Sequence, residues 1–276
     1  MNLVLQGDEI RIESLDALRI ACAASRVEPI GPHAWRLVEA TPSSEVEALC
    51  FPAGIDWAWI PDGRRLADFG LFVSDMDSTL INIECIDEVA DMYGMKSDVA
   101  AITEAAMRGE INFRESLARR VSLLAGLSED ALAVVYEQRL QLNPGAEALL
   151  ATLRANGIRT ILVSGGFTYF TDRLKARLGF DEAYANELEI LNGRLTGRIV
   201  GPILDAEAKA AHLRTTRDRL GLGRDQVIAV GDGANDIPML AAAGFGVAYR
   251  AKPIVHQVAD CRIDHVGLDG ILRLFA

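Results

Sequence analysis

The run Phe69-Gly70-Leu71-Phe72-Val73-Ser74-Asp75-Met76-Asp77-Ser78-Thr79 decides the fold. Its apolar part is short and unbroken rather than alternating, the pattern of a strand buried on both faces. It runs straight into two carboxylates, Asp75 and Asp77. The same grammar returns twice. Ile158–Val163 leads into Ser164-Gly165-Gly166, and Val227–Val230 leads into Gly231-Asp232-Gly233-Ala234-Asn235-Asp236. Helical stretches, Ala146–Ala155 and Ala206–Leu220, precede these two runs. Buried strands alternating with helices predict an α/β fold, a doubly wound parallel sheet with helices on both faces. Ligands in such sheets bind beyond the carboxyl ends of the strands. The three polar clusters are therefore expected to meet at one edge.

Working outward, residues 82–143 have helical spacing. Val89, Met92 and Tyr93 fall at i, i+3 and i+4, and Leu117, Val121 and Leu124 also keep helix spacing. A helical insertion directly after the first strand lies where a lid over the site would be. Glu187–Ile190 and Leu195–Val200, joined through Asn192-Gly193, read as a β-hairpin. Upstream, residues 1–65 read as a small, separate α+β module. A strand is expected around Leu3 and Leu5, a helix through Asp16–Ala24 capped by Ser14, and an alternating strand at Trp35, Leu37 and Glu39. A short helix at Ser43–Leu49 and a strand at Trp57–Ile60 follow. Pro61-Asp62-Gly63-Arg64-Arg65 is turn chemistry and reads as the linker to a second unit over residues 69–276.

The bulk numbers set limits. With 276 residues, half of them hydrophobic, the chain can bury a sizeable core. Its 28 Lys and Arg against 39 Asp and Glu give a net charge of −11, which argues against a general nucleic-acid or anionic-membrane surface. Cys22, Cys50, Cys85 and Cys261 form no CxxC pair, so reduced, buried thiols are expected rather than a disulfide framework or a zinc site. The first residues show no secretory pattern, and no stretch reaches the ~18–20 apolar residues of a membrane helix. A cytoplasmic protein is the expectation.

The chemistry lies in the clusters. Two carboxylates leaving a strand can divide a reaction, one attacking phosphorus and the other moving a proton; alone, the pair is equally a polar turn with a helix cap at Ser78 or Thr79. Ser164 and the bare amides after it can hold phosphate oxygens, or simply turn a strand into a helix. Lys209 in its helix matters only if it points at the same edge. The acids at 232 and 236, with little bulk around them, suit a hard cation that keeps several waters, as Mg²⁺ does.

Order and context together resemble the haloacid dehalogenase (HAD) superfamily. DMDST at 75–79 is similar to its first motif, Ser164 to its second, Lys209 to its third and GDGANDIPM at 231–239 to its fourth. Within it the chain resembles the phosphoserine phosphatase family over about residues 69–270. The matching strings are VSDMDSTLINIECIDEVA (73–90), MRGEINFRESLARRVSLL (107–124), VSGGF (163–167), the AK of AEAKAAHL (206–213) and AVGDGANDIPML (229–240). The resemblance implies a Rossmann-like HAD core with a helical cap at about 82–143. It implies a Mg²⁺-dependent hydrolase that converts O-phospho-L-serine to L-serine and phosphate through an aspartyl-phosphate, the last step of serine biosynthesis. By that resemblance Asp75 is nucleophile and metal ligand. Asp77 is the general acid/base, and its backbone carbonyl also faces the metal. Asp232 is the third ligand, and Asp236 supports it from behind. Ser164 and Lys209 bind the phosphoryl group, Gly165 adds a backbone N–H, and Asn235 lies beside the phosphate. Glu84 serves the amino group and Arg120 the carboxylate, which Arg can grip bidentately. Met107 and Phe113 close over the substrate. Residues 1–65 resemble part of an ACT-type amino-acid-binding domain. The implied partner is the small molecule phosphoserine, with neither nucleic acid nor membrane, for a monomer or homodimer.

Other readings stay open on the sequence. Hydrolysis of phosphothreonine, or phosphoryl transfer to an acceptor such as homoserine, would use the same motifs. An amino-acid-binding regulatory protein would suit the N-terminal module, yet every residue needed for turnover is retained: Asp75, Asp77, Ser164, Lys209 and Asp232. A P-type ion pump shares the aspartyl-phosphate logic and is excluded by the lack of membrane-length apolar runs.

Overall fold

The computed structural model describes residues 1–276, apart from the side chain of Met107. Residues 1–60 form β1 (Asn2–Gln6), α1 (Ile12–Ala21), β2 (Arg26–Gly31), β3 (Ala34–Val38), α2 (Glu45–Cys50) and β4 (Asp56–Ile60). The central strand β5 (Leu71–Ser74) is followed by the insertion helices α3 (Cys85–Met92), α4 (Lys96–Met107), α5 (Phe113–Leu123) and α6 (Asp130–Val134). Next come α7 (Ala146–Ala155), β6 (Arg159–Phe167), α8 (Thr168–Leu178), β7 (Glu182–Leu191) and β8 (Arg194–Val200). The chain ends with α9 (Ala206–Arg219), β9 (Val227–Gly231), α10 (Ile237–Ala242), β10 (Phe245–Tyr249), β11 (Cys261–Ile263) and α11 (Gly270–Leu274).

The described strands form one sheet in the order β2-β3-β1-β4-β11-β10-β9-β5-β6-β7-β8. From β11 to β7 the pairs are parallel, while β8 and all four N-terminal strands pair antiparallel. The sheet is therefore mixed, where the sequence reading expects a parallel one. A tight hairpin closes one flank: Asn192 (φ 51°) and Gly193 (φ 72°) both take the left-handed backbone that a two-residue turn requires. Along β5 the side chains alternate between two cores. Leu71 and Val73 pack with Leu213, Met239 and Leu240, and Phe72 packs in the core that holds Leu149, Leu153 and Leu174. Helices thus cover both faces. Since β5 lies between β6 and β9, the chain order reverses there, and a crevice opens at such a switch point.

The N-terminal strands and helices follow the β-α-β-β-α-β plan. They are not set apart from the rest. β4 pairs with β11 at Ala58 and Cys261, and the Asp56 carboxylate accepts the backbone N–H groups of Asp264, His265 and Val266 at 2.9–3.0 Å. Ser14 does not cap α1. The helix starts earlier, with Arg11 in extended backbone at the cap position and no side-chain cap bond, and it ends before Ala23, whose φ is 48°. The strands β2, β10 and β11 were absent from the sequence reading. Among the described residues no helix is long and apolar enough to cross a membrane. All four cysteines are free and buried.

Candidate active site

The position of Asp75 is set by the sheet itself. Asp75 follows the last residue of β5, and its N–H still donates to Val230 O of β9 at 3.0 Å. Its side chain therefore stands at the carboxyl edge, 4% exposed. Lys209, in the first turn of α9, reaches the same point. Its Nζ donates to Asp75 Oδ1 at 2.6 Å and to Asp236 Oδ1 at 2.7 Å, and the residue is 1% exposed. Asp236 Oδ2 accepts the N–H groups of Asp232 and Gly233 at 3.2 and 3.0 Å. Asp232 Oδ1 accepts Thr79 Oγ1 at 3.0 Å. A Cβ at Gly231 would come within 2.5 Å of Asp236 Cγ, so the fold of the segment after β9 back onto its own strand end depends on that glycine.

Asp77 stands beside this group. Its Oδ1 accepts the Cys85 N–H, at the start of α3, at 2.9 Å, and its Oδ2 accepts Ser164 Oγ at 3.3 Å. Gly166 N donates to Ser164 Oγ at 2.8 Å. A Cβ at Gly166 would lie 2.6 Å from Asp77 Oδ2, so a side chain there would displace the carboxylate. Burial, then the charge of Glu84, pushes the Asp77 carboxyl up to about 7, against the opposing Cys85 amide. Burial alone would depress the Lys209 ammonium, but Asp236 and Asp75 outweigh it and hold the group charged. The Asp75 carboxyl is raised by burial and by Asp236 despite Lys209. Asp232 is pushed up to about 7 by burial and Asp236.

These carboxylates test whether the site fits a cation. Oxygens of Asp75, Asp232 and Asp236 lie within 4.8 Å of one another, all three residues buried. Lys209 pairs with two of the three, Asp75 and Asp236, which leaves excess negative charge in a hard-oxygen donor set. The set fits a divalent cation of the Mg²⁺ kind. Asp236 is the least free of the three, since Lys209 and two amides already occupy its oxygens.

The cluster opens onto a cavity of about 930 Å³ whose lining includes Glu84, Phe113, Arg120, Gly165 and Asn235. The sequence-predicted residues thus converge, and Met107 alone lies outside the described side chains. Glu84 stands at the N-terminal boundary of α3 without a side-chain cap bond, and its carboxylate accepts Ser78 Oγ at 2.7 Å. Arg120, on α5, is drawn down by burial while Asp87 and Glu84 support its charge. Its buried Nε has no hydrogen-bond partner among the described residues, and neither has Asp87 Oδ1. Sequence reasoning missed Asp87. It lies one helical turn after Glu84, and that i,i+3 spacing was a usable signal. Lys252 also lines the cavity, its N–H donating to Asp232 O at 2.9 Å; nothing in its sequence context marked it.

Known proteins are similar to this chain in sequence and in fold. The haloacid dehalogenase-like hydrolase family model matches residues 72–241. A phosphoserine phosphatase of Albidiferax ferrireducens is 53% identical over 216 residues, covering 76% of this chain and 91% of the relative. The crystal structure of a HAD family hydrolase from Salmonella enterica serovar Typhi superposes with a TM-score of 0.89 at 32% identity, over 99% of this chain and 98% of that one. A probable phosphoserine phosphatase from Vibrio cholerae, unliganded, gives a TM-score of 0.87 at 38% identity, over 99% and 86% of the two chains. Motif order, sheet and relatives coincide, and the chain belongs to the haloacid dehalogenase-like hydrolase family.

Proposed function

We propose that this chain hydrolyses O-phospho-L-serine to L-serine and phosphate, the last step of serine biosynthesis, through an aspartyl-phosphate on Asp75. One observation carries the reading. The buried Asp75–Lys209–Asp236 bridge opens onto a cavity whose lining holds both an acid, Glu84, and a guanidinium, Arg120, whose buried Nε has no hydrogen-bond partner among the described residues. A phosphate ester that also bears an ammonium and a carboxylate complements those groups.

Asp75 attacks phosphorus, the Asp75–phosphorus bond forms, and the bond to the serine oxygen breaks as Asp77 delivers its proton to that oxygen. A carboxyl pushed up to about 7 is suited to that delivery near neutral pH. Water then attacks phosphorus while Asp77 takes its proton, and phosphate leaves Asp75. Ser164, Lys209, the Gly165 N–H and Asn235 hold the phosphoryl oxygens. Asp75, the Asp77 carbonyl and Asp232 would hold Mg²⁺, with Asp236 fixing the Asp232 loop. Bound there, the ion supplies positive charge against carboxylate–phosphate repulsion. Glu84 takes the ammonium and Arg120 the carboxylate, while Phe113 closes the pocket. Residues 82–143 act as the cap that excludes bulk water. Residues 1–65 are read as an ACT-like module beside the phosphatase unit at 69–276.

The test is phosphate release from L-phosphoserine and from a panel of other esters, with Mg²⁺ and with EDTA. Phosphoserine should be preferred, and EDTA should abolish turnover. Arg120→Ala should reduce phosphoserine kcat/KM about a hundredfold, a charge-assisted pair lost, with a generic aryl phosphate little affected. Equal losses on both substrates would remove Arg120 from carboxylate recognition.

A further inference from the structure

The helical insertion leaves the core at residues 78–82 and returns at 141–143, and the two runs are bonded to each other. Asn82 N donates to Gln141 O at 3.0 Å, Gln141 N to Asn82 Oδ1 at 3.0 Å, and Asn143 N to Leu80 O at 2.9 Å. Ile81 and Leu142 form an antiparallel bridge. The neck of the insertion is thus closed by bonds that do not need the Asn143 side chain.

That side chain, on a residue only 6% exposed, does something else. Its Nδ2 donates to Thr79 O at 2.8 Å, to Ile81 O at 3.1 Å and, at a longer 3.4 Å, to Ser78 O. All three acceptors lie in the turn that begins after Asp77. The turn folds back on itself, with the N–H groups of Thr79, Leu80 and Ile81 converging on Met76 O at 2.9–3.3 Å. Ser78 takes φ 56°, a left-handed conformation that a non-glycine residue holds only when its surroundings impose it. Outward-facing carbonyls of a tight buried turn need donors, and Asn143 supplies one amide to them. Asn143 does not line the cavity, so its effect on the reaction must pass through this turn.

We propose that Asn143 is a positioning residue that aims Asp77 at the leaving oxygen. Asp77 is the first residue before the clamped turn. Its carboxylate is aligned by Cys85 N and Ser164 Oγ, from elements on either side of the crevice. Loss of the clamp frees the turn from its left-handed state and swings Asp77 off that alignment. Asp75 is held separately, through its own N–H to β9 and through Lys209, so the nucleophile stays in place. The proposal rests on Asp77 acting as the general acid, as proposed above.

The experiment uses leaving-group dependence, since protonation matters for a serine alkoxide and hardly at all for an acidic nitrophenol. The rate of enzyme phosphorylation is measured by rapid quench for phosphoserine and for p-nitrophenyl phosphate, in the full-length wild type, Asn143→Ala, Asn143→Ser and Asp77→Asn. Asn143→Ala should slow phosphorylation by phosphoserine about ten- to a hundredfold, the scale of a small misplacement, and phosphorylation by the aryl ester less than threefold. KM for phosphoserine should stay within twofold. Asn143→Ser keeps a hydroxyl donor and should show the same asymmetry, more weakly; it decides the matter if the alanine variant does not fold. Equal slowing on both esters, or a lowered Tm with unchanged rates, overturns the role of Asn143. If Asp77→Asn itself shows no asymmetry between esters, the general-acid reading fails instead, and the two failures are thereby told apart.

Discussion

Lys209 bridges Asp75 and Asp236 by bonds of 2.6 and 2.7 Å without access to solvent. A buried ammonium between two carboxylates is strongly coupled to them, and removing it leaves like charges facing each other. Lys209→Ala should reduce kcat about 10²–10³-fold, the scale seen when one preorganised electrostatic contact is lost. It should also cost about 3 kcal/mol of stability, read from a denaturant melt. Activity within tenfold of wild type would contradict the electrostatic role. The convergence of Asp75, Asp77, Ser164 and Asp232 at one edge was legible in the sequence because each sits in or beside a short string of fixed grammar at a strand end. Asn143 was not, because its acceptors lie 62–65 positions away, and from sequence it is only a polar residue before Pro144. Asp87 acquires meaning only from the guanidinium on another helix.

Helix α9 shows how an element carries a side chain into the site. Asp205 caps it, Oδ1 accepting Ala208 N at 3.1 Å, and Lys209 follows one turn later. Oδ2 meanwhile accepts Arg114 Nε of α5 at 2.7 Å, linking the insertion to the core. The cap amide, with Arg114, holds the Asp205 carboxyl below its usual range. Because the folded pKa is the lower one, the ionised form's contribution is present above the unfolded value of about 4 and is lost as pH falls through the folded value. Asp205→Ala should therefore cost about 1 kcal/mol at pH 7. The Tm gap to wild type should narrow as pH drops below about 4. A gap independent of pH would assign the loss to something other than the carboxylate. At this scale the sequence reading succeeded where chemistry is local, as with the Asn192-Gly193 turn and the helices at 146 and 206. It failed for α1, whose start carries no side-chain cap. It also passed over β2, an edge strand containing Pro29 with no buried residue, the fully buried five-residue β10 and the three-residue β11.

Across the whole molecule, one sheet runs from the N-terminal strands into the parallel core. A turn-rich segment at 61–65 suggested separation in the sequence, while the pairing of β4 with β11 depends on residues some two hundred positions apart and could not be read locally. Asp56, 2% exposed, fastens that junction by accepting three backbone N–H groups. Asp56→Ala leaves those donors unpaired and should destabilise the protein by about 3 kcal/mol, while KM for phosphoserine at a temperature where the protein is folded should be unchanged. A change in KM without a change in melting would show the junction acting on the site rather than on stability. The central claim, that the whole arrangement serves transfer of a phosphoryl group to Asp75, is tested most directly by trapping. Enzyme quenched during turnover of ³²P-labelled phosphoserine is reduced with borohydride and mapped by mass spectrometry. The account predicts a transient label, with reduction of the side chain at position 75 alone; label at another residue, or full-rate phosphate release with no covalent label at any time, would contradict it.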